Sequence, residues 1–185
     1  MNDTHIAWFH RTDNWQDVKN ATMNTIGKAT GAYPDSEWKH KLLLAEHSPI
    51  RKLHFSWRWE DLPYWVSVHF VRHKIGIEHF VKTQRTDRTG VDRNAAPQNA
   101  PVNHECEADA QALINISRKR LCSCASPETR AAWQQVKEEV AKVEPELARC
   151  MVRECVYRGF CPEMFGCGYD QTEAFQKELK EYRGK

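Results

Sequence analysis

Residues 53–74 read LHFSWRWEDLPYWVSVHFVRHK, a stretch that predicts a strand, a turn and a helix in succession. Large apolar side chains fall on one side of an alternating pattern: Leu53, Phe55, Trp57 and Trp59. Period-two alternation with aromatic residues predicts a half-buried β-strand over residues 53–59. Asp61 and Pro63 then resemble an acidic cap and a first-turn proline, which predicts the start of a helix. This helix would end near the basic segment 72–74.

Two more helices and a loop are predicted downstream. One helix runs from about Glu105 to Leu121, after a loop over residues 86–103 that is rich in Thr, Gly, Asn, Ala and Pro. Another begins at Ser126, a capping hydroxyl followed by proline and an acid. Its apolar side chains form one stripe: Val136, Val140, Val143 and Leu147. A strand followed by helices favours an α+β fold, which we expect to form one domain over residues 1–185.

Composition narrows the function classes. The 185 residues include 27 Lys and Arg and 25 Asp and Glu, giving a net charge of +2. Such a balance argues against a nucleic-acid-coating protein, which usually carries a strongly basic stripe. No stretch approaches the roughly 18 apolar residues that a membrane span requires, and no secretory signal is visible. We therefore expect a cytoplasmic protein without membrane or nucleic-acid partners.

The chain has seven cysteines, most of them in its last third, and we expect free thiols or metal ligands in preference to disulfides. Within the Cys-rich segment 150–185, Cys155, Cys161 and Cys167 are evenly spaced. A fourth thiolate would come from one of three others: Cys122, Cys124 or Cys150. Four thiolates would bind a structural zinc ion or an iron–sulfur cluster. The alternative is that these cysteines are buried as small hydrophobic residues.

Two basic segments form the densest chemical signal: Arg72-His73-Lys74 and Lys82-Thr83-Gln84-Arg85. Arginine matches phosphate oxygens with two parallel donors, and a hydroxyl adds a neutral donor. These segments predict an anion site. For an isolated charge run, a solvated basic face is the alternative.

The order of these and neighbouring motifs resembles that of the flavin-dependent thymidylate synthases, over about residues 46–130. The matching segments are, in chain order, His47-Ser48-Pro49, Phe70-Val71-Arg72-His73-Lys74, Thr83-Gln84-Arg85, Arg93-Asn94-Ala95-Ala96-Pro97, Asn115 with Arg120, and Ala125 with Glu128 and Arg130. The resemblance implies a small antiparallel sheet packed with long helices, and a homotetramer with flavin sites between subunits. It also implies an enzyme that uses FAD, NADPH and methylenetetrahydrofolate to methylate C5 of dUMP.

The resemblance also implies roles for individual residues. Implied flavin contacts are Ser48, Arg72, His73, Lys74, Asp109, Gln111 and Asn115. Implied nucleotide contacts are His69, Arg72, Thr83, Gln84, Arg85, Arg93 and Arg120. Arg120 matches the arginine that ionises N3 of uracil, a role suited to a permanently charged guanidinium. No protein nucleophile is implied, because the cofactor supplies the hydride.

Some positions depart from the family pattern. Lys74 replaces the usual arginine, His69 replaces a common glutamine, and the spacing from His73 to Arg85 is one residue longer. The segment before Arg93 is also unusually short. These changes leave open another pyrimidine nucleotide, a hydroxymethyl product, or a metal-stapled binding protein without catalysis.

The spacing of two implied site residues also matters. Asn115 and Arg120 are five residues apart, which places them about 140° apart around a regular helix. We therefore expect them to reach different ligands unless the helix end unwinds.

Overall fold

In the computed structural model, which describes residues 3–184, the chain forms a four-stranded antiparallel sheet with helices packed against it. The strands are β1 (His5–Arg11), β2 (His54–Pro63), β3 (Ile77–Val81) and β4 (Pro101–Asp109). Their order across the sheet is β1-β2-β4-β3. The two central strands are therefore β2 and β4, and β3 is a short edge strand that pairs with β4. This arrangement confirms the predicted α+β class with a small antiparallel sheet.

Helices occupy most of the remaining chain. The α-helices are α1 (Trp15–Thr25), α2 (Ser36–Leu44), α3 (Tyr64–Phe70), α4 (Thr86–Thr89), α5 (Ala110–Arg120), α6 (Pro127–Val143), α7 (Pro145–Cys150), α8 (Glu154–Arg158) and α9 (Glu173–Arg183). Two 3-10 helices span Ser48–Lys52 and Tyr169–Gln171. Within residues 3–184, no helix is long and apolar enough to cross a membrane.

The predicted strand at residues 53–59 is confirmed as the first part of β2. Its side chains alternate as expected, and Phe55, Trp57 and Trp59 are buried in the core. Trp59 stacks on Phe70 at the end of α3, with ring centroids 4.7 Å apart. Trp133 of α6 contacts the same aromatic group. The sheet, α3 and α6 thus share one aromatic core.

The predicted helix start at Asp61 is wrong, because β2 continues through Pro63 and α3 begins at Tyr64. Leu62 pairs with Val102 of β4, and this pairing extends the strand past the position where a local cap pattern suggested a helix. Asp61 has a positive φ of 54° at a register shift in the strand. Tertiary pairing therefore overrides the local cap signal.

The predicted helix from Glu105 is also wrong at its start. Residues 101–109 form β4, whose side chains alternate between buried and exposed, and α5 begins at Ala110. Asp109 is the N-cap of α5, since its carboxylate accepts a hydrogen bond from the Ala112 N–H at 2.7 Å. The predicted loop over residues 86–103 is correspondingly shorter and contains the one-turn helix α4.

The cap predicted at Ser126 is confirmed, because its side chain accepts from the Thr129 N–H. Two residues of the predicted stripe, Val136 and Val140, are buried in α6. The stripe does not continue in one helix, since α6 ends at Val143 and α7 begins at Pro145. Proline disfavours a helical conformation in the preceding residue, which explains the break.

Candidate functional site

Arg120, the last residue of α5, lies against the segment that follows α3. Its Nε donates a hydrogen bond to His73 Nε2 at 2.9 Å, and an Nη2 hydrogen donates to the His69 carbonyl oxygen at 2.7 Å. His69 Nδ1 in turn lies 2.9 Å from Thr129 Oγ1 on α6. The fold thus brings three predicted site residues, Arg120, His69 and His73, into one contact group.

Burial and positive charge shape the electrostatics of this group. Burial, aided by the charge of Arg120 and by His79, lowers the pKa of His73 to about 4. Burial followed by Arg120 and Arg72 also lowers the pKa of His69. His73 is therefore a neutral imidazole near pH 7, and its Nε2 lone pair accepts from Arg120. Two arginines near neutral histidines give a site suited to an anionic ligand.

Acidification should destabilise the protein through His73. Between its ordinary pKa of 6.5 and about 4, the unfolded chain binds more protons at this residue than the folded chain. Stability contributed by this residue therefore falls as pH decreases through that window. We expect His73→Gln, which keeps an acceptor but cannot take the proton, to reduce the slope of unfolding free energy against pH there. The reduction should stay below the one-proton limit of about 1.4 kcal/mol per pH unit, because the imidazole is partly solvated.

Urea denaturation at pH 6.5 to 4 measures this slope. His10→Gln, at an exposed position of β1, is the matched control. Equal slopes in His73→Gln and the parent protein would contradict the neutral His73 inferred from the structure.

A cavity of about 300 Å³ brings together several predicted nucleotide residues. Thr83, Gln84 and Arg93 line it, and the other lining residues are Lys82, Thr89, Val91, Ala96, Ala100, Pro101 and Val102. Two cations, two hydroxyls and an amide beside an apolar wall match the needs of a nucleotide, which has a phosphate and a flat base. The other predicted nucleotide residues are not part of this lining: His69, Arg72, Arg85 and Arg120.

Arg85 instead forms a two-point ion pair with Asp87. Its Nε and Nη2 donate to the two carboxylate oxygens at 3.0 and 2.8 Å. Both side chains are largely exposed, so the pair is a weak constraint that a phosphate ligand could replace. The predicted phosphate role of Arg85 therefore stays a prediction that requires this side chain to change partner.

Two of the predicted flavin residues, Asp109 and Gln111, lie at the N-terminal end of α5, opposite Arg120. Asp109 caps that helix, and its carboxylate lies so close to Gly76 that a Cβ there would be 2.6 Å from Oδ2. Gly76 has a φ of +72°, so both backbone and space require glycine. Asp109 thus has a structural role as a cap, and its flavin contact stays a prediction.

The amides of Gln111 and Asn115 belong to a polar group on the surface of α5. Gln111 donates to the Asn115 side-chain oxygen at 3.2 Å, as does Arg118, and both also contact the Glu46 carboxylate. The 3-10 helix that begins at Ser48 packs against α5 beside them. Asn115 is exposed, and its side-chain oxygen contacts Gln111 and Arg118.

The basic segment itself is solvent-facing. Arg72 and Lys74 are exposed, while His73 between them is half-buried. Arg72 lies close enough to Arg120 that its charge lowers the pKa of that guanidinium, in addition to burial. Two exposed cations thus flank a histidine that is held by Arg120.

The three cysteines of the predicted metal site differ in their exposure. Cys155 is buried, Cys161 is half-buried and Cys167 is exposed. Burial, with smaller effects of Cys122 and Cys161, raises the pKa of Cys155 to about 11. Within residues 3–184, however, no three of these thiols lie within 4.8 Å of one another. A metal on Cys155, Cys161 and Cys167 therefore stays a prediction.

Sequence reasoning missed two histidines near the site. His79 Nε2 lies 2.9 Å from the His73 carbonyl oxygen, and His79 Nδ1 lies 3.0 Å from His104 Nε2. The signal was present as alternation in β4, where His104, Cys106 and Ala108 are buried on one face. The incorrect helix start at Glu105 obscured it.

The architecture is the fold of the flavin-dependent thymidylate synthases. Thymidylate synthase X from Helicobacter pylori, solved with FAD and dUMP, superposes with a TM-score of 0.61 at 13% identity, covering 80% of this chain and 98% of that one. A second structure of the Helicobacter pylori enzyme with FAD and dUMP gives a TM-score of 0.62 at 13% identity, covering 81% and 99%.

The same fold is found in a UMP/dUMP methylase. The UMP/dUMP methylase PolB from Streptomyces cacaoi, solved with 5-Br dUMP, has a TM-score of 0.62 at 14% identity, covering 86% of this chain and 96% of that one. No family model matches the sequence, and a comparison with curated proteins gives no significant match. At these identities the likeness establishes the fold alone.

Proposed function

We propose that this protein is an FAD-dependent enzyme that transfers a one-carbon unit from methylenetetrahydrofolate to C5 of dUMP. The observation that carries the proposal is the contact of Arg120 with His73 and the His69 carbonyl, in a fold shared with thymidylate synthase X. Arg120 is distant in sequence from the segment Arg72-His73-Lys74 but contacts it through His73, which supports their assignment to one site. The solved neighbours bind FAD, dUMP or 5-Br dUMP, which supports this ligand class.

The donors available suit FAD. Arg72 and Lys74 are exposed cations that would face its pyrophosphate, and the amides of Gln111 and Asn115 would hydrogen-bond to polar edges of the cofactor. His73 would be held in place by Arg120 while it contacts the flavin. When bound, the reduced flavin supplies the hydride, and NADPH is the proposed reductant. Completion of this site by a second subunit, in a homotetramer, is part of the proposal.

The role of Arg120 is electrostatic. Removal of the N3 proton leaves negative charge on the uracil ring, and a guanidinium fixed beside that position stabilises it. Arg120 uses two of its donors to hold His73 and His69, which fixes the orientation of the remaining ones. A preoriented donor is more effective than a mobile one, because it needs no rearrangement during the reaction.

Substrate identity has a second candidate. PolB, with a similar TM-score, is described as a UMP/dUMP methylase, and the short segment containing α4 borders the cavity lined by Thr83 and Arg93. Incubation of the protein with FAD, NADPH, methylenetetrahydrofolate and each of dUMP, UMP and dCMP, followed by product mass, tests both. A methyl increment on dUMP supports the proposal, and a hydroxymethyl increment or another base supports the alternative. No product and no FAD binding would reject an enzymatic role.

Arg93→Ala should weaken nucleotide binding. Arg93 lines the 300 Å³ cavity beside Thr83 and Gln84, so its loss removes one charge-assisted contact to the phosphate. A contact of this kind contributes about 1.5–3 kcal/mol, which corresponds to roughly a tenfold to hundredfold rise in the KM for dUMP. The matched control is Arg88→Ala, an exposed arginine of α4 that does not line the cavity. Equal KM values for the two variants would remove Arg93 from the nucleotide site.

A further inference from the structure

Three side chains converge on the inner face of the sheet, next to the Arg120 contact group. They are His79 from β3 and His104 and Cys106 from β4. His79 lies directly opposite Cys106 in the strand register, and His104 is two residues from Cys106, so all three project from one face. His104 and Cys106 are fully buried.

The potential ligand atoms are close together. His79 Nδ1 lies 3.0 Å from His104 Nε2 and 3.4 Å from Cys106 Sγ, and all three atoms lie within 4.8 Å of one another. Within the part of the chain that the structure describes, no other set of three histidine, cysteine or acidic side chains meets this criterion. In particular, no three cysteines of the last third of the chain have their sulfur atoms within 4.8 Å of one another in the described residues.

Hydrogen bonding alone leaves this cluster unsatisfied. His79 Nε2 faces the His73 carbonyl, which only accepts, so Nε2 carries the proton and Nδ1 presents a lone pair. His104 Nδ1 is buried and has no hydrogen-bond partner among residues 3–184. With its proton on Nδ1, His104 directs a second lone pair at His79, which a cation could bridge, while the buried Nδ1–H stays unpaired. With the proton on Nε2, a buried lone pair at Nδ1 stays unpaired.

We propose that His79, His104 and Cys106 bind a divalent metal ion of the zinc class. Two imidazole nitrogens and one thiolate are ligands that zinc prefers. Bonds of about 2.0–2.1 Å to nitrogen and 2.3 Å to sulfur would, in a tetrahedron, separate the ligand atoms by about 3.3 Å and 3.5 Å. The distances of 3.0 and 3.4 Å therefore need to change by only a few tenths of an ångström.

The surroundings of His79 support the same assignment. A metal-binding histidine generally donates its other ring N–H to a carboxylate or backbone carbonyl, as His79 does to the His73 carbonyl. Three protein ligands would leave a fourth position for a water or another ligand, and His79 is the least buried of the three. Binding requires the Cys106 thiol to lose its proton to solvent.

The ion would have a structural consequence for the neighbouring site. Strand β3 has five residues and pairs with β4 alone, so it is the least anchored strand of the sheet. The ion would fasten β3 to β4 and, through His79, fix the His73 carbonyl. This inference does not depend on the proposed flavin chemistry, since it concerns residues outside the assigned ligand contacts.

Cobalt(II) titration of chelator-treated, folded protein tests the proposal. We expect one equivalent to bind with a near-ultraviolet thiolate-to-cobalt absorption, and zinc to displace it and raise the melting temperature. X-ray absorption of the zinc form should show one sulfur and otherwise nitrogen or oxygen ligands. Failure to bind one equivalent, or a first shell of three or four sulfurs, would overturn the assignment, the latter in favour of the cysteine-rich segment.

Variants provide a second test. His79→Gln, on the edge strand, should weaken cobalt binding at least about tenfold, the smaller end of the effect seen when metal-site partners are lost. The control is Cys161→Ser, which removes a thiol from the other cysteine group and should leave the absorption unchanged. Unchanged binding in a folded His79→Gln protein would refute the site. If that variant fails to fold, the sulfur count of the unmodified protein decides.

Discussion

Arg120→Lys should lower the rate of dUMP-dependent product formation by about a hundredfold to a thousandfold, the usual cost of one preorganised electrostatic contact. Lysine keeps the positive charge but has a single compact ammonium on a flexible stem. It cannot donate to both His73 Nε2 and the His69 carbonyl and also present a fixed donor to uracil. The rate loss corresponds to roughly 3–4 kcal/mol of transition-state stabilisation. Steady-state turnover at saturating FAD measures it.

Two further variants separate a catalytic from a structural role. Arg158→Lys makes the same substitution at an exposed arginine of α8 that pairs with the buried Glu154, and it should have near-parental turnover. Asn115→Ala should weaken FAD binding more than nucleotide binding, whereas Arg120→Lys should affect turnover more than FAD binding. A residual effect of Arg120→Lys on FAD is expected, because Arg120 positions His73. Near-normal turnover in a folded Arg120→Lys protein would remove Arg120 from the mechanism.

Features determined by nearby residues were predictable from sequence. The strand containing Trp57 and Trp59 was evident from period-two alternation, and the cap at Ser126 from one hydroxyl followed by proline. Elements that depend on partners distant in the chain were not predictable in this way. Strand β1 pairs with β2 some fifty residues later, and its own seven residues carry little pattern. The local pattern predicts a helix from Glu105, in the middle of β4. The pairing of β4 with both β2 and β3 keeps this segment extended instead.

The candidate site shows the same division. Motif order placed Arg120 and the Arg-His-Lys segment in one site, and the structure brings Arg120 and His73 within hydrogen-bond distance. The group of His79, His104 and Cys106 could not be predicted, because it depends on the register between β3 and β4. The resemblance implies a flavin contact for Asp109, and the structure shows in addition that its carboxylate caps the start of α5. Sequence patterns indicate residue types for a site, whereas tertiary contacts determine which remain free for ligand.

The largest effect on stability is expected at Trp59. Its side chain is fully buried on the central strand β2, stacks on Phe70 with an interplanar angle of 16°, and donates from Nε1 to the Ala132 carbonyl at 3.2 Å. Trp59→Ala should therefore cost about 3–5 kcal/mol, the range for large-to-small changes of buried aromatic residues. Folded proteins are typically stable by only about 5–15 kcal/mol, so this loss would leave the variant marginal.

Chemical denaturation of matched variants measures this cost. Trp59→Phe keeps an aromatic ring to stack on Phe70 but loses the Nε1 donor, and it should fall between Trp59→Ala and the parent protein. Trp8→Ala, a half-buried tryptophan on the edge strand β1, should cost less than half as much as Trp59→Ala, because less apolar area leaves water there on folding. Because Phe70 ends the helix that leads to Arg72 and His73, Trp59→Ala should also weaken ligand binding under conditions where it remains folded. Equal stability losses in Trp8→Ala and Trp59→Ala would contradict an aromatic core centred on Trp59 and would place the dominant packing of the sheet elsewhere.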